Sequence, residues 1–185
     1  MVISVLRLLV RLHEELAGFD EKMEASDYGA AAVAVCDMRE ALQQFKEYDQ
    51  GCDAQIFAQV TEQYKRKRNA LKCKLEELFK KAIVFGSCKL TVHREVESGT
   101  SLIQLAVVLE ALQALGWLEE RVDTFTEKLR ATIFEPVLKR ARSKVSSSRT
   151  AECWVLECDE EPTAPAQLQP TRLFRNLLAL SLIHI

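Results

Sequence analysis

Cysteine and histidine are the side chains here with the most chemistry to offer, and their spacing limits what they can do. The cysteines stand at positions 36, 52, 73, 88, 153 and 158, with no CxxC pair among them. A structural zinc site wants four Cys or His ligands, and no histidine pair supplies the remainder. Cys88 and His93 share one connecting segment and come nearest to a nucleophile and its base. That chemistry needs a third group to orient the base and an oxyanion hole for the developing charge. No glycine-rich elbow or second polar cluster supplies them. His13, beside Leu12, reads as structural or surface, and Cys153 and Cys158 are assigned no role. The glycines are isolated and give neither GxGxxG nor GxxxxGK, so nothing cradles a phosphate. The expectation is a non-enzymatic chain with no catalytic, cofactor-binding or metal-binding residues.

One charge feature stands out. Lys65, Arg66, Lys67 and Arg68 are consecutive, with Lys72 and Lys74 beyond them. The run reads either as a solvated helix face or as an electrostatic contact to an acidic partner helix or an anionic membrane surface. The net charge of -2 and the absence of aromatic interleaving argue against nucleic acid. Unpatterned cysteines imply free thiols in a reducing compartment, the cytosol or a cytosolic membrane face. Arg7 and Arg11 interrupt the first apolar residues, which argues against a signal peptide. No apolar run approaches the ~18 residues of a membrane-spanning helix.

The elements that carry these residues read as long helices. The fraction of charged residues is 28% and of hydrophobic residues 48%, and no proline occurs before Pro136. Val5, Leu9, Leu12, Leu16, Phe19 and Met23 alternate steps of four and three, the rhythm of a helix facing another helix. Ser26 or Asp27 caps a second helix with its stripe at Tyr28, Ala31, Val35, Met38, Leu42 and Phe45. Its Ala30-Ala31-Ala32 run lets a neighbour approach closely. After a break at Asp49-Gln50-Gly51, a third helix is expected from about Cys52 to Phe85, roughly 50 Å long at the usual rise. Residues 88 to 98 lack helical rhythm and read as a loop, because one short strand without a partner makes no sheet. Gly99-Thr100-Ser101 then reopens helix, with Thr100 or Ser101 as cap. Leu105, Leu109, Leu112, Leu115, Leu118, Val122, Phe125, Leu129 and Ile133 keep the helical spacing almost to Pro136, with a bend allowed at Gly116 and a kinked continuation to Arg142.

The fold expectation is therefore all-α: an elongated antiparallel bundle over residues 1–143, with 144–185 as a disordered linker and tail. Ser146-Ser147-Ser148, Asp159-Glu160-Glu161 and the prolines at 162, 165 and 170 carry that second reading. Leu173 to Ile185 is apolar, and reads as an interfacial helix or as non-native sequence. A rod of this kind has much surface for its volume, and pairing with another helix buries what its own stripes leave uncovered. The stripe Leu9, Leu12, Leu16, Phe19 and Met23 is the candidate partner contact, with intramolecular core as the other reading. Residues Lys65 to Arg68 are the candidate electrostatic contact.

Several segments also resemble a known family. Leu16-Ala17-Gly18-Phe19-Asp20, Asp27-Tyr28-Gly29-Ala30-Ala31, Val108-Leu109-Glu110-Ala111-Leu112 and Leu129 through Leu138 (LRATIFEPVL) are similar to the N-terminal part of the zeste-white ten family of kinetochore and vesicle-tethering proteins. The resemblance covers roughly residues 5–142, and rests on the order of helices more than on a diagnostic motif. It implies an all-helical, non-enzymatic fragment of a longer tether subunit. Such subunits pair helices with a RINT-type (Tip-type) partner, associate peripherally with the endoplasmic reticulum to receive Golgi-derived vesicles, and in animals join a kinetochore complex of the spindle checkpoint. The rival expectation is a coiled-coil homo-oligomer of the structural class.

Overall fold

Asp27 joins the first two helices, ending one and capping the next. In the computed structural model, which describes residues 2–47, 54–136 and 143–160, α1 spans Val2–Glu24 and α2 spans Tyr28–Glu47. Ser26 adopts φ 59; its N–H donates to Met23 O at 3.1 Å, and Asp27 N–H donates to Lys22 O at 2.9 Å. Those two bonds form a Schellman end for α1. The Asp27 Oδ1 atom then accepts the Ala30 N–H at 3.0 Å, the N-cap of α2. Beyond α2, α3 spans Ala54–Ala82, β1 Ile83–Gly86, β2 Lys89–His93, β3 Glu95–Ser98 and β4 Ser101–Gln104. Next come α4 (Leu105–Ala114), α5 (Leu118–Leu129) with a π-helical turn at Arg130–Phe134, β5 (Ser143–Arg149) and β6 (Cys153–Glu160). Among the described residues no helix is long and apolar enough to cross a membrane.

The chain divides into two compact units. The first takes the described residues up to Phe79 together with Glu97–Leu118. Its centre is α2, where Ala31, Ala32, Ala34, Val35, Met38 and Ala41 are all buried. Small side chains there let α1 and α4 both pack on it. Arg11 Nη2 meets Asp37 Oδ1 at 3.1 Å between α1 and α2, and Cys36 Sγ donates to Ala114 O at 3.4 Å between α2 and α4. The rings of Phe45 on α2 and Phe57 on α3 stack with centroids 5.4 Å apart. Tyr28 and Ser98 share a buried hydrogen bond of 2.7 Å, tying the end of β3 to the start of α2. Gly99, at φ +63, turns β3 into β4.

The second unit takes Lys80–Val96 and the described residues from Glu119 on. It holds a four-stranded antiparallel sheet in the order β1-β2-β6-β5. Leu90 of β2 stands opposite Leu156 of β6. Both are fully buried with Ile133 of the π-helical turn, and Ile83, Phe85, Val92, Phe125, Leu129, Val145 and Trp154 pack around them. The Thr150 hydroxyl closes the β5–β6 hairpin, accepting Cys153 N–H and donating to Cys153 O, both at 3.0 Å.

The all-α expectation is therefore wrong: the fold is mixed, with five α-helices and six strands in two antiparallel sheets among the described residues. The partner that the segment after Cys88 lacked comes from two places. One is the stretch Ile83–Gly86, expected to close the third helix; the other is Cys153–Glu160, sixty residues further on and expected to be disordered tail. Val92, Trp154 and Val155 favour a pleated, half-buried surface, and the hairpin turns give them neighbours. Ser101–Gln104 is β4 rather than the first turn of a helix. The single long helix expected after it is interrupted at Gly116, φ +72, where Gly116 N–H donates to Gln113 O and Trp117 N–H to Leu112 O. The Ser-rich stretch 146–148, expected to be linker, lies inside β5. The expected continuation to Arg142 and the apolar stretch from Leu173 lie outside the described residues.

Candidate interaction surface

The helical stripe of α1 is turned inward. Leu12, Leu16 and Phe19 are buried, and Leu9 and Met23 are half-buried. Leu12, Leu16 and Phe19 are thus part of the core of the first unit. The apolar side chains that α1 and α2 show to solvent are others: Leu6 is 55% exposed, Val10 56% and Val33 57%. Leu6 and Val10 are four residues apart, so they lie one above the other on a single face of α1. Sequence reasoning missed them because it followed the dominant rhythm. The signal was present, since each is an apolar residue standing one position after a stripe residue.

The basic run of α3 is largely occupied within the first unit. The Lys67 ammonium pairs with Asp20 and lies 5.6 Å from the centroid of the Phe19 ring. Arg68 lies over the Trp117 ring at 5.2 Å, and Lys72 lies over the same ring at 5.6 Å. Trp117 is itself buried, so these cations meet a partly desolvated aromatic face. Arg66 Nε reaches Glu62 Oε1 at 3.3 Å one helical turn away. Lys65 is exposed and alone of the four makes no such contact among the described residues. As a landing site for an acidic partner, the run thus offers less free charge than four consecutive cations suggest.

Cys88 and His93, the nearest approach to a nucleophile and its base in the sequence, do not meet. Cys88 precedes β2 and His93 ends it. Five extended residues separate them by roughly 16 Å, beyond any proton transfer from thiol to imidazole. The ladder instead sets His93 opposite Cys153, whose Sγ lies 3.5 Å from the Thr150 hydroxyl. His13 is exposed on α1. Among the described residues no group of three or more His, Cys, Asp or Glu side chains gathers as a metal site.

No protein-family model matches the chain, and no curated protein does. The segments that carry the zeste-white ten resemblance fall on α1, the start of α2, α4 and, up to Pro136, the end of α5 with the π-helical turn; residues 137–138 lie outside the described residues. The two sheets have no counterpart in the helix order on which that resemblance rests.

Proposed function

We propose that this chain is a non-enzymatic subunit of a tethering complex, related to the zeste-white ten family, and that it binds its partner helix to helix. The observation that carries the reading is the α1–α2 hairpin: its stripe is satisfied internally, while Leu6 and Val10 form an exposed apolar ridge on α1. An amphipathic helix laid along that ridge removes both side chains from water, at about 25 cal/mol per Å² of apolar surface covered. The resemblance supplies the kind of partner, a RINT-type (Tip-type) subunit. It also supplies the setting, peripheral to the endoplasmic reticulum in Golgi-to-ER vesicle docking and, in mitosis, at the kinetochore.

Capture of a RINT-type subunit from solution by the immobilised chain is the test. Replacing Leu6→Asp together with Val10→Asp places two carboxylates where an apolar partner must sit, and should weaken capture at least ~10-fold, since leaving charges unpaired at such a surface costs well over 1.4 kcal/mol. Both positions face solvent, so the fold itself should be little affected. Equal capture by the double variant, or none by the unaltered chain, would sink the reading. Light scattering on the isolated chain separates the rival, since a structural homo-oligomer assembles through this ridge with no second protein.

A further inference from the structure

The register of the four-stranded sheet brings two thiols together. Lys89 stands opposite Glu157 and Leu90 opposite Leu156. One step back along the first strand and one step forward along the second sets Cys88 opposite Cys158. The backbone bears this out, because Cys158 N–H donates to Cys88 O at 2.8 Å. An opposed pair that exchanges both bonds in an antiparallel ladder has Cα atoms about 5.5 Å apart, and these two residues make one of the two bonds, one position beyond the last ladder pair. A disulfide asks for a Cα separation of roughly 4.4–6.8 Å. Cys158 lies two residues beyond Leu156 on the core side of the sheet and is buried. Cys88 occupies the turn between β1 and β2, half-buried, at φ 57. Both are thiols in this structure.

We propose that Cys88 and Cys158 are a thiol pair that closes to a reversible cross-strand disulfide, clamping the β1–β2 turn to the far end of β6. Glutathione disulfide is the oxidant. The Cys88 thiol, reachable at the turn, loses its proton and attacks one sulfur of glutathione disulfide; that S–S bond breaks and the first glutathione leaves as thiolate, taking up the proton. The Cys158 thiolate then attacks the Cys88 sulfur and expels the second glutathione, which takes up the Cys158 proton. Two cysteines are oxidised, one glutathione disulfide is reduced to two glutathiones, and the exchange runs backwards when reduced glutathione is in excess. The other described cysteines are poorly placed to compete. Cys153 lies at the opposite end of the β2–β6 ladder, and Cys36 and Cys73 belong to the helical unit.

The test uses the full chain, reduced, equilibrated with glutathione disulfide, alkylated and digested. Mass spectrometry should find the Cys88 and Cys158 peptides joined and lighter by two hydrogens, and dithiothreitol should release them. Because the bond closes a long loop, Tm should rise by roughly 5 °C or more on oxidation. Cys88→Ser, a conservative change at a turn, should abolish both the crosslink and the shift; Cys158→Ser should hold glutathione as a stable mixed disulfide on Cys88. The proposal fails if glutathione stops on Cys88 in the unaltered chain, if Cys88 bridges to a different cysteine, or if both cysteines are recovered fully alkylated after oxidation.

Discussion

Tyr28 and Ser98 are 70 positions apart in sequence, yet their hydroxyls meet at 2.7 Å in a buried setting. Losing one partner leaves the other desolvated and unsatisfied, which costs more than the bond itself contributes. Tyr28→Phe should therefore destabilise the chain by about 1–2 kcal/mol in urea unfolding, and adding Ser98→Ala should return part of that loss. The basic run makes a second case. Arg68 and Lys72 share the face of one buried indole, whereas Lys65 is solvated. Arg68→Ala should cost about 0.5–2 kcal/mol, and Lys65→Ala should stay within about 0.5 kcal/mol of zero. Equal effects from the two changes would mean that the Trp117 contact contributes nothing. Four neighbouring cations thus divide by what lies opposite each one. That information is absent from the run itself, because Asp20 and Trp117 approach it only through the fold.

The elements end where local chemistry ends them. Gly116 carries φ +72 and an added Cβ would meet open space, so Gly116→Ala isolates backbone strain from any clash. The cost should be about 1 kcal/mol, read as a lowered midpoint in chemical denaturation. Ser26 holds a similar conformation, φ 59, at the end of α1 without being glycine. Ser26→Gly should therefore move stability the other way, by up to about 1 kcal/mol. These helix ends and the stripes between them were legible in the sequence: Asp27 as a cap, the alternation from Val5 to Met23, the small face of α2. The strands were not. Helical rhythm is a property of a dozen neighbouring residues, while β2 owes its place to a segment some sixty residues away. Ser143–Arg149, rich in serine, has no strand pattern of its own and is ordered by its pairing with β6. The candidate surface divides the same way. The apolar ridge Leu6 and Val10 could have been found as residues off the stripe, but which apolar face of α1 turns inward was settled by α2.

At the scale of the whole molecule, the sheet of the second unit depends on the middle of β6. Leu156 is fully buried and lies opposite Leu90, so Leu156→Ala should cost about 2–5 kcal/mol, with amide exchange in Lys89–His93 accelerating as the ladder opens. Retained protection in β2 would show that the β1–β2 hairpin stands without β6.

The strand order has a further consequence for how the protein is made. β6 is the last strand of the sheet to leave the ribosome, and it belongs between β2 and β5 rather than at a margin. At a translation rate of about 5–20 residues per second, the nascent β1–β2 hairpin waits several seconds with an unclaimed row of amides and carbonyls. During that interval any other extended peptide is a competitor for the seat, so the yield of correctly assembled protein should depend on chaperone supply and growth temperature more than its equilibrium stability would suggest.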